Sequence, residues 1–249
     1  RQDNAPEYQR LTGKQIGSKY GFIANGLFQS EEEIANSATV KGYKALPGYI
    51  KYVDRNGDGI ITAAQDQGYV GKSATPKHTG SLNLFGNWKG FDFDLLFSWG
   101  LGNVVALTGQ YTASGSEGTQ DNTSFTKPFY HGGNSPTFLV ENSWTPDHTN
   151  AEFPRLEITG PSNNNGYSST FWYRNGNYMR LKTAQIGYNF PKKWLNPAGI
   201  EGLRLYVEGY NLLTFSGLTK YNIDPESPAV NNGYYPQQRT YTLGVKLTF

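Results

Sequence analysis

The sequence predicts an all-β fold and, among all-β folds, an antiparallel barrel that crosses a membrane. Three observations lead there. Thirty glycines, eighteen tyrosines, fourteen phenylalanines and five tryptophans against a single methionine favour strands, turns and aromatic surfaces over helices. Several segments alternate between apolar and polar residues, which is the period of a strand with two unlike faces. The connections between those segments are alternately short and very long, the asymmetry of a membrane barrel with tight turns on one side and extended loops on the other.

Composition bounds the remaining possibilities. A chain of 249 residues suffices for one large domain, and 37% hydrophobic residues could supply a core, yet the mean hydropathy is only -0.60. No run approaches the roughly 20 apolar residues of a membrane-spanning helix. Arg1 opens no charged-then-apolar leader pattern, so the expectation is a chain that begins at a cut and is not an intact precursor. Lysine plus arginine number 22 against 20 acidic residues, which supplies no basic face for nucleic acid. The absence of cysteine excludes a disulfide framework and thiolate metal sites.

In chain order, residues 1–80 read as an extracellular loop region. Within it "SEEEIA" offers a capping box, Ser30 with Glu33, opening a helix of about two turns whose acidic run is a solvated face. A hairpin follows at 81–99. Leu82, Leu84, Gly86 and Trp88 share one face, and after the turn at Lys89 and Gly90 so do Phe91, Phe93, Leu95, Phe97 and Trp99; Asn83, Asn87, Asp92, Asp94 and Ser98 take the other. A large extracellular loop is expected over 101–177, and a second long connection over 214–239. Strands are expected at 178–190, 203–213 and 240–249. In the first, Ala184, Ile186, Tyr188 and Phe190 oppose Gln185, Gly187 and Asn189; in the second, Leu203, Leu205, Val207 and Gly209 oppose Arg204, Tyr206, Glu208 and Tyr210, with the alternation failing at Asn211. In the third, Tyr241, Leu243, Val245, Leu247 and Phe249 oppose Thr240, Thr242, Gly244, Lys246 and Thr248. Nine residues tilted by roughly 40° rise on the order of 20 to 25 Å, close to the apolar band of such barrels. Trp88, Tyr188, Phe190, Trp194 and Phe249 gather at the short-turn ends, as one aromatic girdle would. The same alternation fits a soluble sandwich, and the terminal phenylalanine tips the balance toward the barrel.

At this point the residues resemble a known family, the SusC-like (RagA-type) TonB-dependent outer-membrane transporters of Bacteroidetes. "GFIANGLFQSEEEI", "GYIKYVDRNGDGIIT", "GSLNLFGNWKGFDFDLLFSWG", "SWTPDHTNAEFPR", "FWYRNGNYMRLKTAQIGYNFPKKW", "GLRLYVEGYNLLTFSGLTKYNIDPE" and "YPQQRTYTLGVKLTF" are similar to successive family segments in the expected order. The resemblance implies a barrel of twenty-two strands, of which residues 1–249 form the C-terminal portion, the plug domain and most strands lying outside the chain. It implies import of large nutrients, mostly oligosaccharides with peptides as a second class, driven through TonB acting on the absent plug segment. It also implies a SusD-like surface lipoprotein as lid, and Phe249 as the terminal signal for barrel assembly.

"DRNGDGIITAAQD" places oxygens as a calcium loop does: Asp54, Asn56 and Asp58 by side chain, Ile60 by its carbonyl, and Asp66 or Gln65 closing the set, with Gly59 at the sharp turn. An extended segment precedes it and a strand follows, so no helix pair is expected around it. The twelfth position is Gln65 instead of a bidentate glutamate, and the loop has one residue more than the family form before its last aspartate. A polar turn, with side chains capping backbone amides, is the better fit; a structural calcium is the other reading, and no cofactor is required for function. Tyr130, Trp144, Trp172, Tyr221, Tyr234 and Tyr235 are expected as exposed loop rings that meet ligand or lid. His78, His131 and His148 show no paired ligand spacing, and Ser114 lacks a nucleophile-elbow context, so no enzyme constellation is expected. The alternative function is a secreted, calcium-stabilised carbohydrate-binding or adhesive β-sandwich. An outer-membrane hydrolase would need a catalytic set that the sequence does not offer.

Overall fold

The computed structural model describes residues 4–10, 12–107, 135–156, 165–227 and 237–249. In chain order the described elements are β1 (Ser18–Gly21), β2 (Ala24–Leu27), α1 (Glu31–Ala35), β3 (Thr39–Val40), β4 (Ile50–Tyr52), β5 (Ile60–Ile61), α2 (Ala63–Asp66), β6 (Gly68–Ser73), β7 (His78–Trp88) and β8 (Phe91–Leu101). After these come β9 (Val104–Ala106), α3 (Thr137–Glu141), β10 (Tyr173–Asn175), β11 (Tyr178–Asn189), α4 (Lys192–Leu195), β12 (Gly202–Ser216) and β13 (Thr240–Thr248). They form two units, one of Arg1–Ala74 with Val104–Arg174, the other of Thr75–Asn103 with Asn175–Phe249.

The second unit is one antiparallel sheet in the order β13-β12-β11-β8-β7. β7 and β8 are joined by two residues with positive φ, Lys89 at 49° and Gly90 at 91°. That is the backbone of the hairpin turn whose twist matches the strands, and it sets Trp88 directly opposite Phe91. β11 and β12 are joined by a compact connection in which α4 runs into a 3-10 turn at Asn196–Ala198 and ends on Gly199 in the left-handed region. The long connections, from β8 to β11 and from β12 to β13, leave from the opposite end of the sheet. Short turns at one end and long loops at the other are thus a property of the fold.

Strand lengths correct one expectation. The strand expected over 203–213, with its alternation failing at Asn211, runs on to Ser216 and pairs with β11 on both sides of the irregularity. Asn211 has φ 53°, its side-chain Nδ2 donates to the Gln238 carbonyl at 3.1 Å, and the register slips between Leu181 and Thr183 on the facing strand. Extra residues on both strands form a bulge, which interrupts the period and leaves Leu213 and Phe215 on the outward face with Met179 and Leu181. β8 at 11 residues and β12 at 15 are longer than expected. At about 3.3 Å per residue and a 40° tilt, eleven residues rise about 28 Å, enough for the apolar band.

The two faces of this sheet are unlike. Leu82, Leu84, Trp88, Phe91, Phe93, Ile186, Val207, Leu243, Val245 and Leu247 all stand exposed on one face. Leu243 keeps 77% of its surface and Val245 59%. The other face carries the polar alternates, with the exposed ring of Phe85 opposite Asp94 among them, and two close approaches. A Cβ on Gly244 would lie 2.1 Å from Cζ of Tyr206, and one on Gly187 would lie 2.6 Å from Nε of Arg204. Gly244→Ala is therefore expected to destabilise the full-length protein by about 1–3 kcal/mol through overpacking, read as a lower unfolding temperature. Tyr206→Ala in the same chain should restore most of the loss, and no restoration would rule out the ring as the cause.

Most of the buried hydrophobic residues among those described belong to the first unit, among them Phe22, Phe28, Ile50, Tyr52, Ile61, Leu139 and Phe153. Its strands are short pairs, β1 with β6, β2 with β4 and β3 with β5, the last parallel. The capping box is present, Ser30 Oγ accepting from the Glu33 amide at 3.1 Å. α1 nevertheless covers only five residues, somewhat short of the two turns expected. Glu33 is not merely solvated: it pairs with Lys51 at 2.9 Å and accepts from the Gln29 amide, which together hold its carboxyl below the usual range.

Candidate functional site

The polar face of the sheet is organised by two arginines. Arg204 on β12 reaches across Gly187 of β11 to Asp92 on β8, with Nε to Oδ2 at 2.9 Å and Nη2 to Oδ1 at 2.5 Å. Glycine at 187 is what lets the guanidinium pass over the intervening strand. Asn189 donates to the same carboxylate at 2.6 Å, and Gln185 accepts from Arg204 at 2.7 Å. Lys246 lies directly opposite Arg204, and the turn of Arg204 toward Asp92 relieves that like-charge pair.

Arg180, on β11 near the long-loop end, is only 2% exposed. Its Nη2 meets Asp224 at 2.6 Å, Nη1 meets Glu226, and Nε donates to Thr214 Oγ1 at 2.9 Å. Lys182 pairs with Glu226 at 2.8 Å and the Tyr178 hydroxyl donates to Glu226 at 3.3 Å. Asp224 in turn accepts from the Glu226 amide at 2.9 Å, which folds the two carboxylates toward the same strand. A buried guanidinium with two carboxylates pins the first residues of the β12–β13 connection onto the sheet. Sequence reasoning missed this cluster, since Arg180 and Asp224 are far apart in the chain and only the β11–β12 register brings them together.

The Asp54–Asp66 loop has no helix pair around it; β4 precedes it, and β5 with the one-turn α2 closes it. Its oxygens are engaged by the backbone. Asp54 accepts from the Gly57 and Gly59 amides, both at 2.7 Å, and Asp58 from Ile60 at 2.9 Å. Asn56 donates to Asp58 at 2.8 Å. Asp66, fully buried, accepts from Arg55 at 2.8 Å and from Thr62 at 2.7 Å. Gln65, at the twelfth position, accepts from the Thr62 hydroxyl at 3.0 Å, and the Arg55 guanidinium stacks 4.0 Å above Tyr8. Among the described residues no three His, Asp or Glu side chains are grouped to hold a metal ion. In this structure the loop is held as a polar turn.

That arrangement has measurable consequences. Asp66→Ala strands two amides, at about 1–3 kcal/mol for each donor left unsatisfied, and should make the loop protease-sensitive in the full-length protein. The Gly59 amide, with those of Gly57, Asn56 and Asp58, holds the Asp54 carboxyl below its usual range. A depressed carboxylate contributes its full stabilisation above the ordinary value near pH 4 and loses it as pH falls through the lowered one. The loop amide signals should thus stay unchanged down to about pH 4; their response to millimolar calcium tests the metal reading, a calcium-induced shift supporting it and no shift favouring the polar turn.

The aromatic expectations divide. Tyr130, Tyr234 and Tyr235 lie outside the described residues, as do His131 and Ser114. Trp144, Trp172 and Tyr221 were expected as exposed rings, and the structure corrects this: all three are buried. Trp144 donates to Gln29 at 3.1 Å and packs against Gly48, whose Cβ would come within 2.5 Å of the ring. Trp172 donates to the Asn165 carbonyl at 2.7 Å and stands edge-on to Phe171. Tyr221, 1% exposed, closes a 3-10 turn at Thr219–Tyr221. The physical reason is that long connections fold into cores of their own and use their largest rings to fill them. A partly open ring group that the sequence did not single out is Tyr43 with Tyr167, whose centroids are 5.8 Å apart, backed by Phe22 and Tyr52. Burial pushes the Tyr52 and Tyr167 hydroxyls above the usual phenol value.

An antiparallel sheet with an exposed apolar face, a networked polar face and loops at one end is part of the wall of a transmembrane β-barrel. Comparison with known proteins specifies which kind. The chain is 31% identical over 99% of its length to TonB-dependent receptor P3 of Formosa agariphila, and 29% identical over 96% to TonB-dependent receptor P26 of the same organism. It covers 24% and 23% of those proteins, so it spans about a quarter of the curated relatives it matches. Among solved structures it is similar to the RagAB peptide importer in the 'open-open' state, with a TM-score of 0.59 and 25% identity over 93% of this chain and 22% of that one. A second structure, of the RagAB peptide transporter, matches with a TM-score of 0.59 at 24% identity over 93% of this chain and 23% of that one. No family model matches the chain. The chain belongs with the SusC-like TonB-dependent receptors, as a segment of their barrel.

Proposed function

We propose that this chain forms part of the barrel wall of an outer-membrane importer of large nutrients, oligosaccharides in the first place. TonB energises it through a plug segment outside these 249 residues, and a SusD-like surface lipoprotein closes its outer mouth. One observation carries the reading: the sheet exposes a broad apolar face of the kind a barrel wall turns to lipid, while its opposite face is mainly polar and cross-linked by arginines. A β-sandwich would bury the face that here stays open, which disfavours the adhesive alternative. No helix among the described residues is long and apolar enough to cross a membrane, a result that leaves strands free to do so. The similarity to relatives named receptors supports transport over catalysis.

A second reading, peptide import, is favoured by the solved neighbours, whose own cargo is peptide. Growth of a host lacking the full-length receptor separates the two. Loss of growth on oligosaccharides with peptide use intact supports the first reading; the reverse pattern moves the assignment to peptides. Unchanged growth and uptake on both would overturn the importer.

A further inference from the structure

The short-turn end of the sheet carries a feature that barrel closure does not need. Trp88 faces Phe91 across the hairpin, Phe91 lies 4.7 Å from Tyr188, Tyr188 lies 5.0 Å from Phe190, and Phe190 lies 6.3 Å from Trp194. Rings in contact thus run from Phe91 on β8 through Tyr188 on β11 to Trp194 on α4, with Trp88 on β7 at the register position opposite Phe91. Trp88 keeps 70% of its surface and Trp194 59%. Three lysines border this belt. Lys89 lies over the Trp88 ring at 4.7 Å, and Lys192 and Lys193 directly precede Trp194 in α4. The hairpin turn is held to the end of β11 by the Asn189 amide, which donates to the Gly90 carbonyl at 2.7 Å, so the lysine of the turn and the pair in α4 share one end of the sheet. All three are exposed, and among the described residues none forms an ion pair. Of the acidic residues nearest in the chain, Asp92 is bound by Arg204, while Glu201 is exposed and closes the same α4 connection, its backbone amide donating to the Thr248 carbonyl, so the three lysines outnumber it at this end.

We propose that this end of the sheet is a docking surface for anionic phospholipid of the inner leaflet, the lysines binding the headgroup phosphate and the ring belt lying at the ester level beneath it. The inference rests on the barrel reading above. The belt alone would hold the sheet at a membrane-water boundary whatever the lipid. Cations beside it are attracted by negative surface charge, and the stacking of Lys89 on Trp88 places a cation at the depth of a ring expected at that boundary. Zwitterionic lipid would satisfy the rings and leave the three charges without a net partner. A lipid with a net negative headgroup satisfies both.

The test uses the full-length receptor, wild type and with Lys89→Asn, Lys192→Gln and Lys193→Gln together, asparagine being chosen at 89 because it tolerates the positive φ there. Each is inserted into vesicles of phosphatidylcholine with one-tenth phosphatidylglycerol, extracted gently, and its retained lipid measured by native mass spectrometry. Wild type should retain phosphatidylglycerol enriched at least several-fold over its bulk share, with the enrichment falling as salt rises. Loss of favourable contact with one basic residue near an anionic surface corresponds to about fivefold, so the triple variant should return to the bulk ratio while still inserting. Insertion with no enrichment in wild type, or enrichment unchanged in the variant, overturns the proposal and leaves the barrel intact. A wild-type protein that does not float with the vesicles overturns the barrel reading and this inference together.

Discussion

Val245→Arg is expected to block assembly of the full-length receptor into membranes, whereas Thr242→Arg leaves most of it assembled. Val245 sits mid-strand in β13, opposite Leu205, and its side chain stands in the open on the apolar face. A guanidinium there must enter hydrocarbon, at about 2–4 kcal/mol near the bilayer midplane. Thr242 is three residues away on the polar face and opposes Glu208, a carboxylate that an introduced arginine could meet. The measurement is the fraction of protein that floats with liposomes and shows the altered mobility of a folded barrel before heating. Equal losses at both positions would refute the assignment of faces, because a strand buried on both sides would resent either charge.

Arg180→Leu should be the most damaging change on the polar face, at about 3–5 kcal/mol. Removing the guanidinium leaves Asp224 and Glu226 beside one another with only Lys182 to balance them, and their side chains are just 19% and 15% exposed. The expected result is a lower unfolding temperature and proteolytic cutting near Asp224, where the connection is no longer tied to β11. Lys182→Ala, at a side chain 34% exposed, removes the outer member of the cluster and should cost about 0–1 kcal/mol. Similar effects of the two variants would mean that Arg180 is not the centre of the network.

Arg180 also shows where sequence reading stops. Its strand was found by alternation, but alternation says only which face a residue occupies, not which residue from a distant segment will meet it there. Asp224 and Glu226 are in a connection with no period, and their approach depends on a register containing a bulge. The bulge itself shows in the sequence as the break at Asn211, but a lost period-2 signal does not say how the facing strand shifts to accommodate it. Trp144, Trp172 and Tyr221 mark a second limit. An aromatic ring in a long polar loop looks available from sequence, and whether it packs inward is settled by contacts such as Gly48 against Trp144 that join residues nearly a hundred positions apart.

The sequence by itself determined the all-β class, the hairpin at 81–99, the final strand with its outward leucines and valine, and the alternation of short and long connections. These follow from local rules: the two-residue period of the strand, the turn chemistry of Lys89-Gly90, and the exclusion of long helices by composition. It also determined that the Asp54–Asp66 loop lacks a twelfth carboxylate. Only the tertiary structure decided that those oxygens turn onto their own amides, that β12 continues through its bulge, and that Arg204 crosses Gly187 to Asp92. Each of these depends on where a second segment lies in space, and the energy of a hydrogen bond or a ring contact falls away within a few ångströms, so no pattern along the chain records it.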